Sequence, residues 1–409
     1  MGDNFQTGRI TTLHRLVDRP IEELEAELVR FSLRRPMGLI LPSLYSELEG
    51  PALPNIVNHL AKVPYLSQIV IGLDQASELE YKSAVKFFSN LPQNHQILWN
   101  DGPSLMAIDE ELREMKLAPQ EMGKGRNVWY CMGYMLALDS VESVGLHDCD
   151  ILTYDRSLLA RLMYPIANPN FRFQFCKGYY SRIAGKYLGG RVSRLLVTPL
   201  TRSLQHILGS RSADYLSFID SFRYPLAGEF ALRKDVMAGL RISSDWGLEI
   251  GLLMEMLRSY TPRRICQVDI ADIYDHKHQS LSQDNDQKGL SKMSIDISKA
   301  FFRKLSTDGV IFDMGLFRTI KATYLRLGLD LVDSYRCDAD MNGLDFDVDV
   351  EERMVELFSE NIMKAGESFL QYPMEQPFIP HWNRVVSAIP DIYERMIAAV
   401  NQDREDFGA

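Results

Sequence analysis

Between residues 37 and 148 the chain alternates short apolar runs with stretches of helical periodicity, and nothing else in the sequence restricts the fold as strongly. Met37-Gly-Leu-Ile-Leu-Pro42 is bounded by Pro36 and Pro42 and leads into helical spacing through Ile56, Leu60 and Val63. Next come the run Gln68-Ile-Val-Ile-Gly-Leu-Asp74, a helical stretch over 78–91, the run at 95–100, a helix near 128–137, and Ser143-Val-Gly-Leu-His-Asp148. Strands that alternate with helices pair in parallel and are covered on both faces. The expectation is therefore an α/β, Rossmann-like fold with a mostly parallel sheet. Such sheets collect ligands at the carboxyl ends of their strands, which singles out Pro42-Ser43-Leu44, Asp74-Gln75, Asn100-Asp101 and Asp148-Cys149-Asp150.

The flanks read as helical. Ile21, Leu24, Leu28 and Phe31 recur at helical spacing in a lead-in that ends at Pro36. Beyond about residue 290 the apolar spacing at 295–305, 314–329 and 350–363 predicts a C-terminal helical region, interrupted by an acidic loop at 338–349. This divides the chain into a sheet-containing domain over 1–290 and a mostly helical region over 291–409.

Bulk properties exclude several classes. A net charge of −10 argues against a nucleic-acid binder, which needs a basic field over much of its surface. The five cysteines are scattered singly, with no CxxC pair, so neither a disulfide framework nor a thiolate zinc site is suggested and a reducing compartment fits. The first residues carry charge where a signal peptide is apolar, and no stretch approaches the roughly 18 uncharged apolar residues of a membrane span. Gln6 stands where a myristoylation signal has Ser or Thr. A cytoplasmic protein is expected.

The residues with chemical potential cluster in short motifs. Val144-Gly-Leu-His-Asp148-Cys-Asp150 is an apolar strand ending in two carboxylates one residue apart, which can reach one hard cation and through it a diphosphate. The same pair also fits a solvated strand end. Gly123-Lys124-Gly125 can bring an ammonium and backbone donors to phosphate, or form a surface turn. In Asp275-His276-Lys277-His278 either histidine can complete a metal site with Asp150, or both can be plain surface groups. Gly189-Gly190-Arg191-Val-Ser193-Arg194 places glycines, arginines and a hydroxyl at a helix start, suited to a phosphate or carboxylate. Glu229 and Glu249 each lie in apolar, glycine-containing surroundings, where a buried carboxylate needs a partner.

Taken in order, these segments resemble the glucosyl-3-phosphoglycerate synthase family of retaining GT-A glycosyltransferases, which includes related mannosyl-3-phosphoglycerate synthases. The likeness covers roughly residues 38–281 and rests on LPSL, GKGRN, HDCDI, GGRVS, PLAGEFA, WGLEIGLL and QVDIADIYDHKHQSL in that order. It implies a GT-A domain over 1–290 that binds a sugar nucleotide and a phosphoglycerate-type acceptor. It also implies transfer of glucose from UDP-glucose to 3-phosphoglycerate, with Mg²⁺ or Mn²⁺. By the resemblance, Pro42, Ser43, Leu44, Gln75, Lys124, Asp148, Cys149 and Glu249 contact the donor. Asp150 and His276 bind the cation, Gly190, Arg191 and Ser193 receive the acceptor, and Glu229, Lys124 and Asp148 serve catalysis. A homodimer is implied as well.

The chain departs from the family pattern at Cys149, where Ser is usual, and at Ser193, where Thr is usual; Leu44-Tyr-Ser46-Glu47 and Asp74-Gln75 also blur two alignments. Alternatives within the fold are GDP-mannose as donor or free glycerate as acceptor. Outside it stand a phosphohydrolase using Asp148 and Asp150, which expects Thr or Val where Leu152 stands, and a sugar-nucleotide sensor without turnover.

Overall fold

A computed structural model describes residues 6, 8–119, 121–276, 289–373 and 378–408. His278, and the part of the resemblance that follows His276, lie outside the described residues. The strands are β1 (Thr11–Leu13), β2 (Met37–Leu44), β3 (Leu66–Asp74), β4 (His95–Trp99), β5 (Ser143–Leu146), β6 (Phe175–Ala184), β7 (Tyr187–Leu188), β8 (Phe230–Arg233) and β9 (Ile265–Tyr274). They form one sheet in the order β1-β9-β6-β8-β5-β2-β3-β4, with β7 paired to the end of β6.

The apolar runs are strands because both faces of the sheet are covered. Successive residues of a strand point to opposite faces, and here Leu39, Leu41, Ile69 and Ile71 enter one core while Ile40 and Val70 enter the other, all fully buried. Truncating any one of them to Ala should cost about 2–5 kcal/mol. β2, β3, β4 and β5 pair in parallel, as do β6, β9 and β1. β8 alone joins these two groups and runs antiparallel to β5 and β6, so its first residue, Phe230, faces Leu146 at the end of β5. This reversal carries the residue before β8, Glu229, to the edge where β5 ends, and its carbonyl accepts from Gly178 N–H of β6 at 2.9 Å.

Among the described residues five helices follow the sheet: Gly289–Thr307, Met314–Asn342, Val348–Gln371, Trp382–Ala388 and Ile392–Phe407. They are not an appendage. Phe301, Phe302, Phe317, Val355 and Phe358 lie in the same apolar core as Ile40 and Val128. Trp382 stacks on Trp129 with ring centres 4.1 Å apart and donates its indole N–H to the Trp129 carbonyl at 3.0 Å.

Several boundaries differ from the sequence expectation. The lead-in contains β1 as well as the helix Ile21–Ser32, because Thr11-Thr-Leu13 finds a parallel partner in β9, which lies more than 250 residues on and left no local signal. The acidic loop is shorter than 338–349: residues 338–342 complete the preceding helix, which Gly343 ends in a left-handed conformation at φ 67°. Among the described residues no helix is long and apolar enough to cross a membrane.

Candidate active site

Lys124 is the first residue of the helix Lys124–Ala137 rather than part of a loop before it, and Gly123 precedes it with φ 137°. An ammonium at a helix N-terminus opposes the helix dipole, so its position depends on nearby carboxylates. Its Nζ lies 2.7 Å from Asp148 Oδ1 and 3.3 Å from Glu249 Oε1. Burial alone would lower the Lys124 pKa, but Asp148 and Glu249 outweigh it and hold the group above the ordinary lysine value. Conversely, burial disfavours the Asp148 carboxylate, and the adjacent Lys124 brings it below the ordinary range.

The two carboxylates of the pair are thus pushed in opposite directions. Asp150, half-buried beside the charged Asp148, is raised to about 7 by desolvation and by that neighbouring charge. Asp148 fits only because residue 228 is glycine: a Cβ there would come within 2.3 Å of Asp148 Oδ2. Just past Asp150 the backbone forms an isolated antiparallel bridge between Ile151 and His276, and Leu152 N–H donates to the Asp275 carbonyl at 2.8 Å. That bridge brings His276 Nδ1 to 3.6 Å from Asp150 Oδ2.

A carboxylate and an imidazole suit a divalent cation of the Mg²⁺ or Mn²⁺ type, and a cation there would relieve the raised Asp150. Among the described residues no three His, Cys, Asp or Glu side chains converge on one point.

Glu229 lies beneath this edge, fully buried. Its Oε1 accepts from Tyr274 OH at 2.6 Å and its Oε2 from Tyr180 OH at 2.9 Å, and the two rings stack 3.7 Å apart. Burial and Asp148 raise its pKa. Lys177 on β6 is also fully buried, donates to the Ala227 carbonyl at 2.6 Å, and is lowered to about 8 by burial, against the pull of Glu249 and Glu229.

Among the residues expected to meet the donor, β2 and β3 end together, with Leu44 opposite Asp74, so Pro42, Ser43 and Leu44 stand beside Gln75. Gln75 adopts φ 56°, a conformation a non-glycine residue takes rarely. The turn is held by Asp101, which accepts from Ala76 N–H at 3.0 Å, and by Trp99, which donates to the Ala76 carbonyl at 2.7 Å. Ser43 Oγ donates to the Leu44 carbonyl at 2.9 Å, which fixes the end of β2.

In the loop expected to receive the acceptor, Gly190 has φ 74° and packs on Tyr224, whose ring would lie 3.2 Å from a Cβ at that position. Ser193 Oγ is buried with no hydrogen-bond partner among the described residues. The helix after Gly190 opens as a π-helix, Val192–Val197, a form common at functional sites. Arg182 links the two sides: its Nη1 donates to Tyr224 OH at 3.2 Å and its Nη2 lies 3.4 Å from His276 Nδ1.

The sequence motifs therefore converge on one edge, but several participants were not singled out from the sequence. Lys177 and Arg182 had a visible signal, as cations inside an otherwise apolar strand. Tyr180, Tyr224 and Tyr274 had none. Nor did the buried Arg126, whose Nη2 donates to the Asn100 carbonyl at 3.3 Å and lies 3.4 Å from Asp109, beneath the turn that carries Lys124.

No family model matches the chain. Individual relatives do. The chain is 43% identical over 406 residues to the glucosyl-3-phosphoglycerate synthase of Persephonella marina, covering 99% of this chain and 100% of the relative. It is 39% identical over 410 residues to that of Methanococcoides burtonii, covering 99% of each. Among solved structures, the glucosyl-3-phosphoglycerate synthase of Mycobacterium tuberculosis, in complex with Mn²⁺, uridine diphosphate and glucosyl-3-phosphoglycerate, matches with a TM-score of 0.53 at 19% identity, over 75% of this chain and 90% of that one. The mannosyl-3-phosphoglycerate synthase of Rubrobacter xylanophilus matches with a TM-score of 0.52 at 19% identity, over 72% and 85%. Both share the fold of a mostly parallel sheet with helices on either face. With full-length identity at this level, the chain belongs to the glucosyl-3-phosphoglycerate synthase family of glycosyltransferases.

Proposed function

We propose that the chain transfers glucose from UDP-glucose to 3-phosphoglycerate with retention of anomeric configuration, assisted by Mg²⁺ or Mn²⁺. One observation supports this most: Lys124, Asp148, Asp150 and His276 meet at the carboxyl edge of the sheet, and a single side chain, Arg182, connects them to the Gly190 loop. The relatives with full-length identity carry the same activity in their names.

In this reading Asp150 and His276 hold the cation, which stabilises negative charge on the departing diphosphate. Lys124, already charged by its carboxylate neighbours, adds a fixed positive group on the same side. Pro42, Ser43, Leu44, Gln75 and Cys149 line the nucleotide end, while Asp148 and Glu249 orient Lys124 and face the sugar. Glu229, with both oxygens engaged by tyrosines and no exposure to solvent, contributes negative potential to an oxocarbenium-like state rather than a nucleophilic oxygen. Arg191 and the Gly190–Ser193 backbone receive the acceptor's anionic groups. On this division residues 1–290 carry both substrates, and a cytoplasmic homodimer is the expected assembly.

The test is nucleoside diphosphate release from UDP-glucose or GDP-mannose, with Mg²⁺ or Mn²⁺, and with 3-phosphoglycerate or glycerate. Release that requires UDP-glucose and 3-phosphoglycerate together supports the proposal. Preference for GDP-mannose or glycerate would replace the substrates; release without acceptor would point to hydrolysis, and tight donor binding without turnover to a sensor.

A further inference from the structure

Arg191 is not held by its own loop. Its Nε donates to Glu351 Oε1 at 2.6 Å, and Glu351 belongs to the helix Val348–Gln371, 160 residues further along. The other oxygen of the same carboxylate accepts from Arg194 Nη2 at 2.9 Å. Arg194 is itself fixed: its Nε donates to the Gly189 carbonyl at 2.8 Å, its Nη2 to the Leu188 carbonyl at 3.2 Å, and its guanidinium sits 4.7 Å from the centre of the Tyr335 ring. Glu351 is only 3% exposed, whereas the Arg191 side chain is 35% exposed.

The chemistry of the guanidinium makes this arrangement informative. Arginine has five N–H donors in a rigid fork. Arg191 spends its Nε–H on Glu351, and its two Nη groups make no hydrogen bond among the described residues, which leaves the pair that grips a phosphate or carboxylate bidentately. Without that tether Arg191 has competing partners. It lines an open cavity of about 730 Å³ together with Asp345, Asp347 and Asp349, carboxylates that would draw it away from a substrate. The segment carrying them is pinned in turn to the β6–β7 turn, where Asp345 N–H donates to the Lys186 carbonyl at 2.7 Å.

We propose that Glu351 is a positioning residue for the acceptor: anchored on Arg194, it aims the Arg191 fork at the acceptor's anionic group, so that the C-terminal helical region supports from behind an acceptor site carried by residues 1–290. This rests on the reading of Gly190, Arg191 and Ser193 as the acceptor loop. The sign of the effect separates positioning from simple charge. Removing a carboxylate beside two arginines raises the local positive potential and would by itself tighten the binding of an anion; loss of aim weakens it.

The experiment is steady-state kinetics of the full chain and Glu351→Gln, with UDP-glucose and 3-phosphoglycerate varied separately. The expected result is a rise of about tenfold in the acceptor KM, with the donor KM and kcat at saturating acceptor within about twofold. In an Arg191→Ala background Glu351→Gln should add nothing further, because the effect passes through Arg191. Glu351→Asp keeps the charge that buried Arg194 needs but shortens the reach, and should also raise the acceptor KM; it carries the test if Glu351→Gln folds poorly. An acceptor KM that is unchanged or lower, or an equal effect on the donor KM, overturns the role of Glu351 alone. A parent protein inactive with 3-phosphoglycerate overturns the substrate reading and this inference with it.

Discussion

The proposed donor and acceptor sides of the site are built in different ways. The donor side is made of strand ends and one helix start: Leu44, Gln75, Lys124 and Asp148 each sit where a parallel element reaches the same sheet edge. The acceptor side is a loop whose glycines and hydroxyl are local, but whose arginine is oriented by Glu351 from the C-terminal helices. The polar groups of the first side all come from the sheet and the helix Lys124–Ala137, whereas the second draws one of its groups from the last third of the chain. Damage to the first should therefore strike catalysis itself, and damage to the second should strike recognition of one substrate.

The sharpest way to break this contrast is Asp150→Ala. It should lower kcat/KM by about a thousandfold or more, since the developing charge on the leaving diphosphate loses its cation. Because burial raises Asp150, its charged form disfavours the metal-free fold, so the variant should melt no lower than the parent in calorimetry. Substantial residual activity would remove Asp150 from the donor side. Lys124→Met should reduce kcat by about a hundredfold with little change in acceptor KM, as read by initial rates. Arg191→Ala should act the other way round, raising the acceptor KM by about 10- to 100-fold with the donor KM near its starting value. If both substrates weaken together, the division between the sides fails.

A smaller effect sharpens the account of the site floor. Lys177 is lowered to about 8 in the folded protein from an ordinary 10.5, with burial as the main cause. Between those values the unfolded chain keeps a proton that the folded chain has lost, so this residue's contribution to stability becomes more favourable as pH rises from about 8 towards 10.5. Denaturant titrations at pH 7.5 and 9.5 should show that increment in the parent, about 2 kcal/mol, and lose it in Lys177→Met.

Much of the cluster at the strand ends was legible in the sequence because its residues are contiguous with strong local signals. An apolar strand running into His147-Asp148-Cys149-Asp150, or Lys124 between two glycines, needs no knowledge of distant neighbours. The partners of these groups were less accessible. Glu229 reaches the edge only because β8 runs against β5 and β6, and strand direction is not written in four residues. Tyr180 and Tyr274 meet because β6 and β9 are adjacent, which reflects sheet order rather than sequence order. Glu351 reads locally as one more acid in the first turn of a helix, a favourable place for it on dipole grounds alone. β1 was missed for the same reason: three residues carry no periodicity, and their stability comes from the pairing with β9.

The most direct measurement is a crystal structure of the protein with UDP, Mn²⁺ and 3-phosphoglycerate, with the metal located by anomalous diffraction at the manganese edge. The account predicts manganese bound by Asp150 and His276 at about 2.2 Å, and an anionic group of the acceptor on the Arg191 fork with Glu351 still behind it. Manganese on other side chains, or an acceptor bound away from Arg191, would contradict it.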